Sequence, residues 1–310
     1  MLQDVSNRID KAYKNFFRNL KNGVVGFPKF KGKRHYKSFT FVQSGFKFVN
    51  NNKRLHLSKI GDVKIKKHRD IHGKIKQLTI KQTKTGKWFA YFSVKIEKTE
   101  KIISNGNSII GCDLGIAKFI TFDDGTSIEN PRFLQDFSKK IAKFERKLSK
   151  AKKRSPRYKK FRRIINKLFE KATNKKLNFF HNEALKLIRT SKTICVEKLN
   201  ISDMLQSNAK KKKKELSKQI TEISWRTFID ILKYKAEFSN CKVIEIDPYN
   251  TSKMCSNCGH LQNLSLKDRW YDCPQCGLSL NRDHNAAINI LTLGTESLKT
   301  PLVFSRSPSL

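Results

Sequence analysis

Four cysteines in two closely spaced pairs place the tightest constraint on how this chain can fold. The pairs are Cys255/Cys258 and Cys273/Cys276, each a Cys-x-x-Cys motif, with residues 259–272 between them. Each pair can aim two thiolates at one point, so that together they complete a tetrahedral zinc site. Two disulfides or a redox-active pair would use the same residues, but the doubling of the motif favours metal. We predict one structural Zn²⁺ with four cysteine ligands and without His260.

The charge balance indicates which partners the chain can bind. Its 310 residues include 66 Lys and Arg against 26 Asp and Glu, a formal net charge of +40. A charge of this size favours a polyanion, either nucleic acid or a membrane surface. No apolar run approaches the ~18 residues of a membrane span, and the opening residues lack the apolar stretch of a signal peptide. The 22 Phe residues argue against a disordered basic tail, which leaves a folded nucleic-acid-binding protein.

The other three cysteines lie beside apolar, strand-like runs. We predict that Cys112, Cys195 and Cys241 are small buried hydrophobic residues. Seven cysteines without a secretion signal indicate a reducing compartment. The predicted location is therefore the cytoplasm, with association to the nucleoid when DNA is bound.

The periodicity of the first hundred residues changes once. Residues 2–20 carry apolar side chains at helical spacing and predict an opening helix. From Lys37 to about Glu97 the period is two, which predicts short strands at SFTFV, GFKFV, RLHLSKI, DVKIKK, KIKQLTIKQ and WFAYFSVKI. Lysines that alternate with apolar residues give one packed and one basic face. This pattern predicts a small β-barrel or rolled sheet that attracts phosphates, and an ordinary solvated face is the alternative.

The rest of the chain mixes strands with helices. Predicted strands cover 108–112, 118–122, 193–197 and 242–247, and Asp123-Asp124-Gly125 forms a turn after the second of them. Predicted helices cover 133–150, a long stretch that begins at Ser155-Pro156, and a stretch around 216–238. This order predicts an α/β or α+β core.

The two helices on either side of Ser155-Pro156 form a strongly basic hairpin. Residues 139–176 contain eighteen Lys and Arg but only the acids Glu145 and Glu170. Phosphates would neutralise a surface that lacks its own acidic partners, so we predict nucleic-acid contact here. The lysine run 210–214 fits a solvated loop equally well.

Three acidic residues stand where core elements begin or end. Asp113 follows an apolar strand, Glu197 ends another, and Asp283 opens a predicted short helix. Asp is depleted in strands, and converging carboxylates are costly unless cations neutralise them. Two Mg²⁺ ions roughly 4 Å apart would resolve this repulsion and activate water against a phosphodiester. We predict a magnesium site at these acids, braced by the zinc ribbon that precedes Asp283.

Three segments of the sequence resemble one family. GCDLGIAKFITFDDG, VEKLNISDM and the four-cysteine ribbon that runs into NRDHNAAINIL resemble the TnpB family in order, spacing and local sequence over residues 105–293. Members of this family are insertion-sequence-encoded, RNA-guided DNA endonucleases related to type V CRISPR nucleases. The resemblance implies a split RuvC nuclease of RNase H-like fold, with Asp113, Glu197 and Asp283 as the catalytic ligands of two Mg²⁺ ions.

The same resemblance implies the fold class and the partners. We expect an α+β protein with an N-terminal wedge-like β-barrel remnant and an RNase H-like (RuvC) α/β core that carries a helical insertion and an inserted zinc ribbon. Guide RNA and target DNA are the expected partners, and a membrane is not. The predicted nucleic-acid contacts are Lys29, Lys31, Lys33, Arg34, Lys152, Lys153, Arg154, Arg157, Lys159, Lys160, Arg162, Arg163 and Arg282.

Predicted domains follow from the same reasoning, and two other functions stay open. The predicted parts are a recognition-lobe helix remnant (1–22), the wedge-like barrel (23–104), a RuvC-like core (105–250) with the hairpin (133–189), the ribbon (251–280), a last RuvC segment (281–293) and a tail (294–310). Family members usually begin with a further wedge strand and recognition helices, so we expect a minimal or truncated member with weakened target selection. The alternatives are a catalytically weak or idle RNA/DNA-binding regulator of the element, and a transposase with an RNase H-like core.

Overall fold

The computed structural model describes residues 2–24, 26–32, 35–96, 106–210, 214–265 and 268–299. The chain divides into two compact units. The first consists of Met1–Glu100 and Ala151–Lys167, and the second of Lys101–Lys150 and Leu168–Leu310. Within the described part of the chain, no helix is long and apolar enough to cross a membrane.

The first unit begins with the predicted helix and contains all six predicted strands. The helix is α1, Leu2–Lys21. The strands are β1 Ser38–Phe41, β2 Phe46–Val49, β3 Arg54–Leu57, β4 Gly61–Lys64, β5 Lys74–Gln82 and β6 Trp88–Lys95. They pair antiparallel in two three-stranded sheets, of order β1-β5-β6 and β2-β3-β4. The period-two pattern that begins at Lys37 therefore matches the start of the sheets at Ser38.

One apolar core serves both small sheets. Phe41 and Leu78 come from the first sheet, Leu55 and Leu57 from the second, and all four are buried. In the strands where lysines alternate with apolar residues, this core accounts for the apolar positions that face inward. Among the described residues, no strand pairing joins the two sheets into one closed barrel. The barrel expectation is thus met only as two sheets packed on a shared core.

The second unit is built on a five-stranded mixed sheet. Its order is β11-β10-β7-β8-β9, in which β7, β10 and β11 run parallel and β8 and β9 pair antiparallel. The strands are β7 Ser108–Asp113, β8 Lys118–Phe122, β9 Ser127–Glu129, β10 Ser191–Glu197 and β11 Lys242–Ile246. The unit is therefore the mixed α/β core that the order of strands and helices predicted.

Helices cover both faces of this sheet. They are α2 Gln135–Ser149, α3 Pro156–Thr190, α4 Ile201–Lys210, α5 Lys214–Ile223, α6 Trp225–Ala236 and α7 Arg282–Lys299. The larger core combines Phe180 of α3 and Phe228 of α6 with Phe119 and Ile194 of the sheet. The smaller core places Ile290 of α7 against Cys195 and Ile246. Cys112, Cys195 and Cys241 are buried free thiols, as predicted.

The helices differ from the sequence prediction at three points. The stretch around 216–238 is two helices, because Ser224 has φ 61° and separates α5 from α6. The helix α4 follows β10 and was not predicted. The last helix runs to Lys299, past residue 293, where the predicted last RuvC segment ends. Leu293 packs against the smaller core. Residues 300–310 of the predicted tail lie outside the described residues.

Candidate active site and four-cysteine knuckle

Two of the predicted acids end neighbouring parallel strands. Asp113 is the last residue of β7 and Glu197 the last of β10. The register of these strands pairs Cys112 with Val196, the residues just before the two acids. Both carboxylates therefore lie at the same end of the sheet, because parallel strands end together.

The third acid reaches this end through close packing of α7. A Cβ added at Gly111 of β7 would overlap the carbonyl oxygen of Ala287, and one added at Gly294 of α7 would overlap Sγ of Cys195. Glycine at these two points lets the helix lie directly on β7 and β10. Asp283 stands in the first turn of that helix, where its backbone N–H donates to Oδ1 of Asn281 (3.0 Å).

Asp113 is influenced electrostatically by the other two carboxylates. Burial, followed by the charges of Glu197 and Asp283, raises the pKa of Asp113 well above its usual value, although Arg282 opposes the shift. Burial also raises the pKa of Glu197, against a hydrogen bond from Thr251. The structure therefore brings Glu197 and Asp283 near enough to Asp113 for both charges to act on it.

The cluster fits the chemistry of a hard divalent cation. Carboxylate oxygens are the ligands that Mg²⁺ prefers, and a cation would offset both the burial and the neighbouring charges that raise the pKa of Asp113. Within the described residues, the four cysteines are the only group of three or more potential ligands whose atoms all lie within 4.8 Å of one another. The three acids are therefore neighbours whose oxygens are spread more widely than the four sulfurs.

Asp123 and Asp124, next to this cluster, are turn residues as predicted. Oδ1 of Asp123 accepts from the backbone N–H of Gly111 (2.8 Å). Oδ1 of Asp124 accepts from the backbone N–H and the hydroxyl of Thr126 (2.8 and 2.6 Å), and these bonds lower its pKa. Asp124 holds the β8–β9 turn, which makes it a suitable control for the three acids, whereas Asp123 ties that turn to Gly111 of β7.

The first turn of α7 is also fixed to the β8–β9 turn. Nε2 of His284 lies 3.0 Å from the carbonyl oxygen of Asp123. Because that oxygen can only accept, Nε2 carries the proton in this bond. The ring also packs against Gly125, since a Cβ there would meet its atoms at 3.1 Å. These two contacts fix His284, and with it the backbone next to Asp283, against the β8–β9 turn.

The four predicted zinc ligands form one cluster. Sγ of Cys255 lies 3.6 Å from Sγ of Cys276, and Sγ of Cys258 lies 3.5 Å from Sγ of Cys273. Zn–S bonds of about 2.3 Å in a tetrahedron place the sulfurs about 3.8 Å apart, close to both distances. A hydrogen bond from the side chain of Asn257 is the main cause that lowers the pKa of Cys276, while the pKa of the neighbouring Cys258 is raised, because closely spaced sulfurs titrate as a group. The residues present therefore fit zinc.

The two Cys-x-x-Cys turns repeat the same backbone pattern. The N–H of Cys255 donates to the carbonyl of His260 (2.9 Å), and that of Cys273 donates to the carbonyl of Leu278 (2.8 Å). The strands β12, Trp270–Asp272, and β13, Ser279–Asn281, flank the second turn. Tyr271 is fully buried, and its hydroxyl donates to the carbonyls of Lys253 (3.1 Å) and His260 (2.8 Å). We call this unit, residues 255–276, the knuckle.

Most predicted nucleic-acid residues are exposed. Lys29 and Lys31 are exposed in the first unit, and Lys33 and Arg34 lie outside the described residues. Also exposed is the hairpin set, which consists of Lys152, Lys153, Arg154, Arg157, Lys159, Lys160, Arg162 and Arg163. These eight belong to the segment Ala151–Lys167 of the first unit. Arg282 differs, because its guanidinium donates to the carbonyl of Ser265 (2.8 Å).

Sequence reasoning missed three buried polar residues around the acids. Thr251, Asn285 and Asn289 are at most 2% exposed, and each makes hydrogen bonds there. A signal was present for the two asparagines, which stand one helical turn apart among the apolar residues Ala286 and Ile290. Polar side chains on an apolar helix face must find buried partners.

Comparison with known proteins agrees with this arrangement. A family model described as "Cas12f1-like, TNB domain" matches residues 225–290, and one described as OrfB_IS605, "Probable transposase", matches residues 91–208. InsQ of Escherichia coli (strain K12), named as an RNA-guided DNA endonuclease, is 30% identical over 303 residues, which are 94% of this chain and 74% of InsQ. A protein of Streptomyces pristinaespiralis with the same kind of name is 27% identical over 299 residues, 94% of this chain and 71% of that protein.

The fold also has a counterpart among solved structures. A chain in the cryo-EM structure of a Cas12f1–sgRNA–target DNA complex matches with a TM-score of 0.57 and 18% identity, over 91% of this chain and 69% of that chain. The mixed sheet and the knuckle therefore belong to a protein with the Cas12f1 type of fold. At 30% identity to InsQ over most of both chains, this chain is a member of the TnpB family.

Proposed function

We propose that this protein is an RNA-guided DNA endonuclease whose RuvC-like centre cleaves phosphodiester bonds with two Mg²⁺ ions. The convergence of Asp113, Glu197 and Asp283 carries the proposal, since these acids come from three separate segments and share one electrostatic site. The sheet order β11-β10-β7-β8-β9 supports an RNase H-like core. The names of the relatives support guide RNA and target DNA as partners.

Each acid has a distinct structural support for its role as a ligand. Asp113 and Glu197 stand on adjacent strands of a packed sheet, so that their spacing is set by backbone pairing. Asp283 is delivered by α7, whose position depends on close packing at Gly111. When bound, Mg²⁺ would supply the activation of water and the stabilisation of charge on the scissile phosphate. The protein contributes rigid, partly desolvated oxygen ligands.

Charge supports the assignment of the partners. The net charge of +40 and the exposed hairpin set suit a phosphate backbone, which needs no recognition of sequence. Sequence selection in an RNA-guided enzyme is left to base pairing. The knuckle is proposed as a structural zinc site, because four protein ligands leave no open position for substrate.

Glu197→Gln tests the proposed function. The change keeps the shape of the side chain but removes one charge from the metal site, and a loss of several kcal/mol of electrostatic stabilisation lowers the cleavage rate roughly 10³-fold or more. Guide RNA binding should be unchanged. Asp124→Asn is the matched control, since Asp124 is exposed and an amide oxygen at this position can accept the same two bonds from Thr126. Normal cleavage by Glu197→Gln with lost cleavage by Asp124→Asn would show that the acids are assigned wrongly.

Strand transfer is a second candidate, because one matching family model carries the description of a transposase. The same assay separates the two functions through its products. Cleaved ends that require a guide support the endonuclease, and joined products of element and target DNA support transfer. Guide-RNA binding without either product would support the idle regulator.

A further inference from the structure

The residues that lead from β11 into the first turn of the knuckle contact both Glu197 and the helix that carries Asp283. We call residues 251–256, the last two of which belong to that turn, the linking segment. At its start, Thr251 is 1% exposed, and its hydroxyl lies 3.3 Å from Oε1 of Glu197. The same hydroxyl lies 3.3 Å from the carbonyl of Pro248, but an ionised carboxylate is the stronger acceptor. Thr251 is thus positioned to orient the carboxylate of Glu197.

Two asparagines of α7 bind the backbone of the linking segment. Nδ2 of Asn289 donates to the carbonyls of Thr251 (2.8 Å) and Met254 (2.7 Å). Nδ2 of Asn285 donates to the same Met254 carbonyl (2.7 Å), and its Oδ1 accepts from the N–H of Ser256 (2.9 Å). Asn285 and Asn289 are 0% and 2% exposed, so these bonds form without competition from water. Buried, mutually satisfied amides of this kind specify one arrangement of the backbone.

These contacts form a continuous connection from the knuckle to both strand and helix. Ser256 lies inside the first Cys-x-x-Cys turn, directly after Cys255. Asn285 stands two residues after Asp283, on the same helix. A shift of the linking segment would therefore move the hydroxyl that faces Glu197 and the helix that carries Asp283 together.

We propose that Thr251, Asn285 and Asn289 are positioning residues for the metal site, and that they make the folded knuckle a condition for tight binding of the catalytic cations. The proposal rests on the proposed function, in that it needs Glu197 and Asp283 to be cation ligands. It assigns the inserted knuckle a role in the geometry of the active site. Removal of a hydrogen-bond partner from a metal ligand typically weakens metal affinity ~10–100-fold.

The test measures cation binding directly, with Mn²⁺ as the probe. Full-length, zinc-loaded protein freed of nucleic acid is titrated with Mn²⁺, and the free ion is followed by electron paramagnetic resonance. Thr251→Val, which removes only the hydroxyl, should weaken Mn²⁺ affinity about tenfold and leave one zinc per chain. Thr251→Ser keeps the hydroxyl and should stay within about twofold of wild type. Thr292→Val is the matched control, because Thr292 is exposed and its hydroxyl donates to the carbonyl of Ile288 within α7 (3.1 Å).

A second variant tests the connection through the helix. Asn289→Leu removes both of its bonds to the linking segment while Thr251 stays in place, and it should also weaken Mn²⁺ affinity. Wild-type affinity in Asn289→Leu would overturn the connection to Asp283, and wild-type affinity in Thr251→Val would overturn the connection to Glu197. If Thr251→Val lost its zinc, the result for Thr251→Ser would decide. This variant keeps the hydroxyl, so weakened Mn²⁺ binding by Thr251→Ser with its zinc still bound would contradict the proposal.

Glu197→Gln, titrated in parallel, separates this proposal from the proposed function. Weak Mn²⁺ binding in Glu197→Gln with normal binding in Thr251→Val would reject the positioning role but keep the acids as ligands. Normal Mn²⁺ binding and cleavage in Glu197→Gln would reject the metal site itself.

Discussion

Gly111 of β7 lies directly beneath Ala287 of α7, so close that a Cβ on the glycine would overlap the carbonyl oxygen of the alanine. This contact sets the height of the helix above the sheet and therefore the reach of Asp283 toward Asp113. A metal site shared between a strand and a helix requires such a fixed separation, because oxygen ligands act only at well-defined distances. The close packing of Gly111 against Ala287 thus sets the separation between Asp113 on the strand and Asp283 on the helix.

Gly111→Ala should damage both stability and cleavage. The added methyl group must push α7 outward, and overpacking of this kind costs about 1–3 kcal/mol of unfolding free energy. A displacement of Asp283 by about 1 Å should reduce cleavage on the order of 10²-fold. Denaturant unfolding and a cleavage assay would measure the two effects. Gly26→Ala is the control, since nothing lies within 4 Å of the added Cβ there.

Removal of a charge from the acid cluster should stabilise the cation-free protein. Burial and the neighbouring charges raise the pKa of Asp113, so the ionised form is disfavoured in the folded state. Asp113→Asn should therefore raise Tm at neutral pH in magnesium-free buffer that contains zinc, while it abolishes cleavage. A lower Tm for Asp113→Asn under these conditions would contradict the conclusion that burial and the neighbouring charges disfavour ionised Asp113.

The pH dependence of this gain has a definite sign. A carboxyl with a raised folded-state pKa binds its proton more tightly in the folded than in the unfolded protein. Wild-type stability from Asp113 is therefore greatest below the unfolded pKa and falls as pH rises through the folded value. The difference in Tm between Asp113→Asn and wild type should shrink as pH is lowered and grow as it is raised. A constant difference would show that Asp113 does not titrate in this environment.

The sequence was informative wherever local pattern decided the structure. Period-two alternation located the six strands of the first unit, and an acid after an apolar run identified Asp113 and Glu197. The break at Ser224 carries no Gly or Pro. Lys176 of α3 contacts it, and its Nζ donates to the carbonyl of Glu222 (2.9 Å) and the hydroxyl of Ser224 (2.8 Å). That bond comes from a distant helix, so periodicity could not reveal it. The buried asparagines of α7 differ, because their helical spacing among apolar residues was a signal in the sequence, although their partners in the distant residues 251–256 could not be read from it.

Zinc removal should unfold the knuckle selectively. Cys273→Ser removes one thiolate, and zinc binding contributes directly to the folding free energy of such small sites. Wild-type protein should contain about one zinc per chain by elemental analysis, and the variant well under one. Cys241→Ser is the matched control, a buried cysteine outside the cluster that should leave zinc content unchanged. Wild-type protein that is purified without zinc would remove the basis for this site.

The hairpin set should determine how RNA affinity depends on salt. Log affinity for single-stranded nucleic acid falls linearly with log salt, with a slope of roughly 0.7 per phosphate contact. Alanine at both Lys159 and Lys160 should flatten the slope by about 1.4 if each lysine contacts one phosphate. Alanine at both Lys192 and Lys242 is the control. These lysines are exposed on the sheet of the second unit and are not among the predicted nucleic-acid contacts, so the control removes the same charge from a different surface.

A comparison of the two double variants distinguishes local contact from general attraction. If the hairpin contacts the RNA, only the first variant changes the slope, because counterion release depends on phosphates actually neutralised. Equal, small effects of both variants would mean that the net charge acts at long range, and that the phosphate contacts lie on other residues. Extending the change to Lys152, Lys153 and Arg154 should flatten the slope further, in proportion to the number of contacts removed.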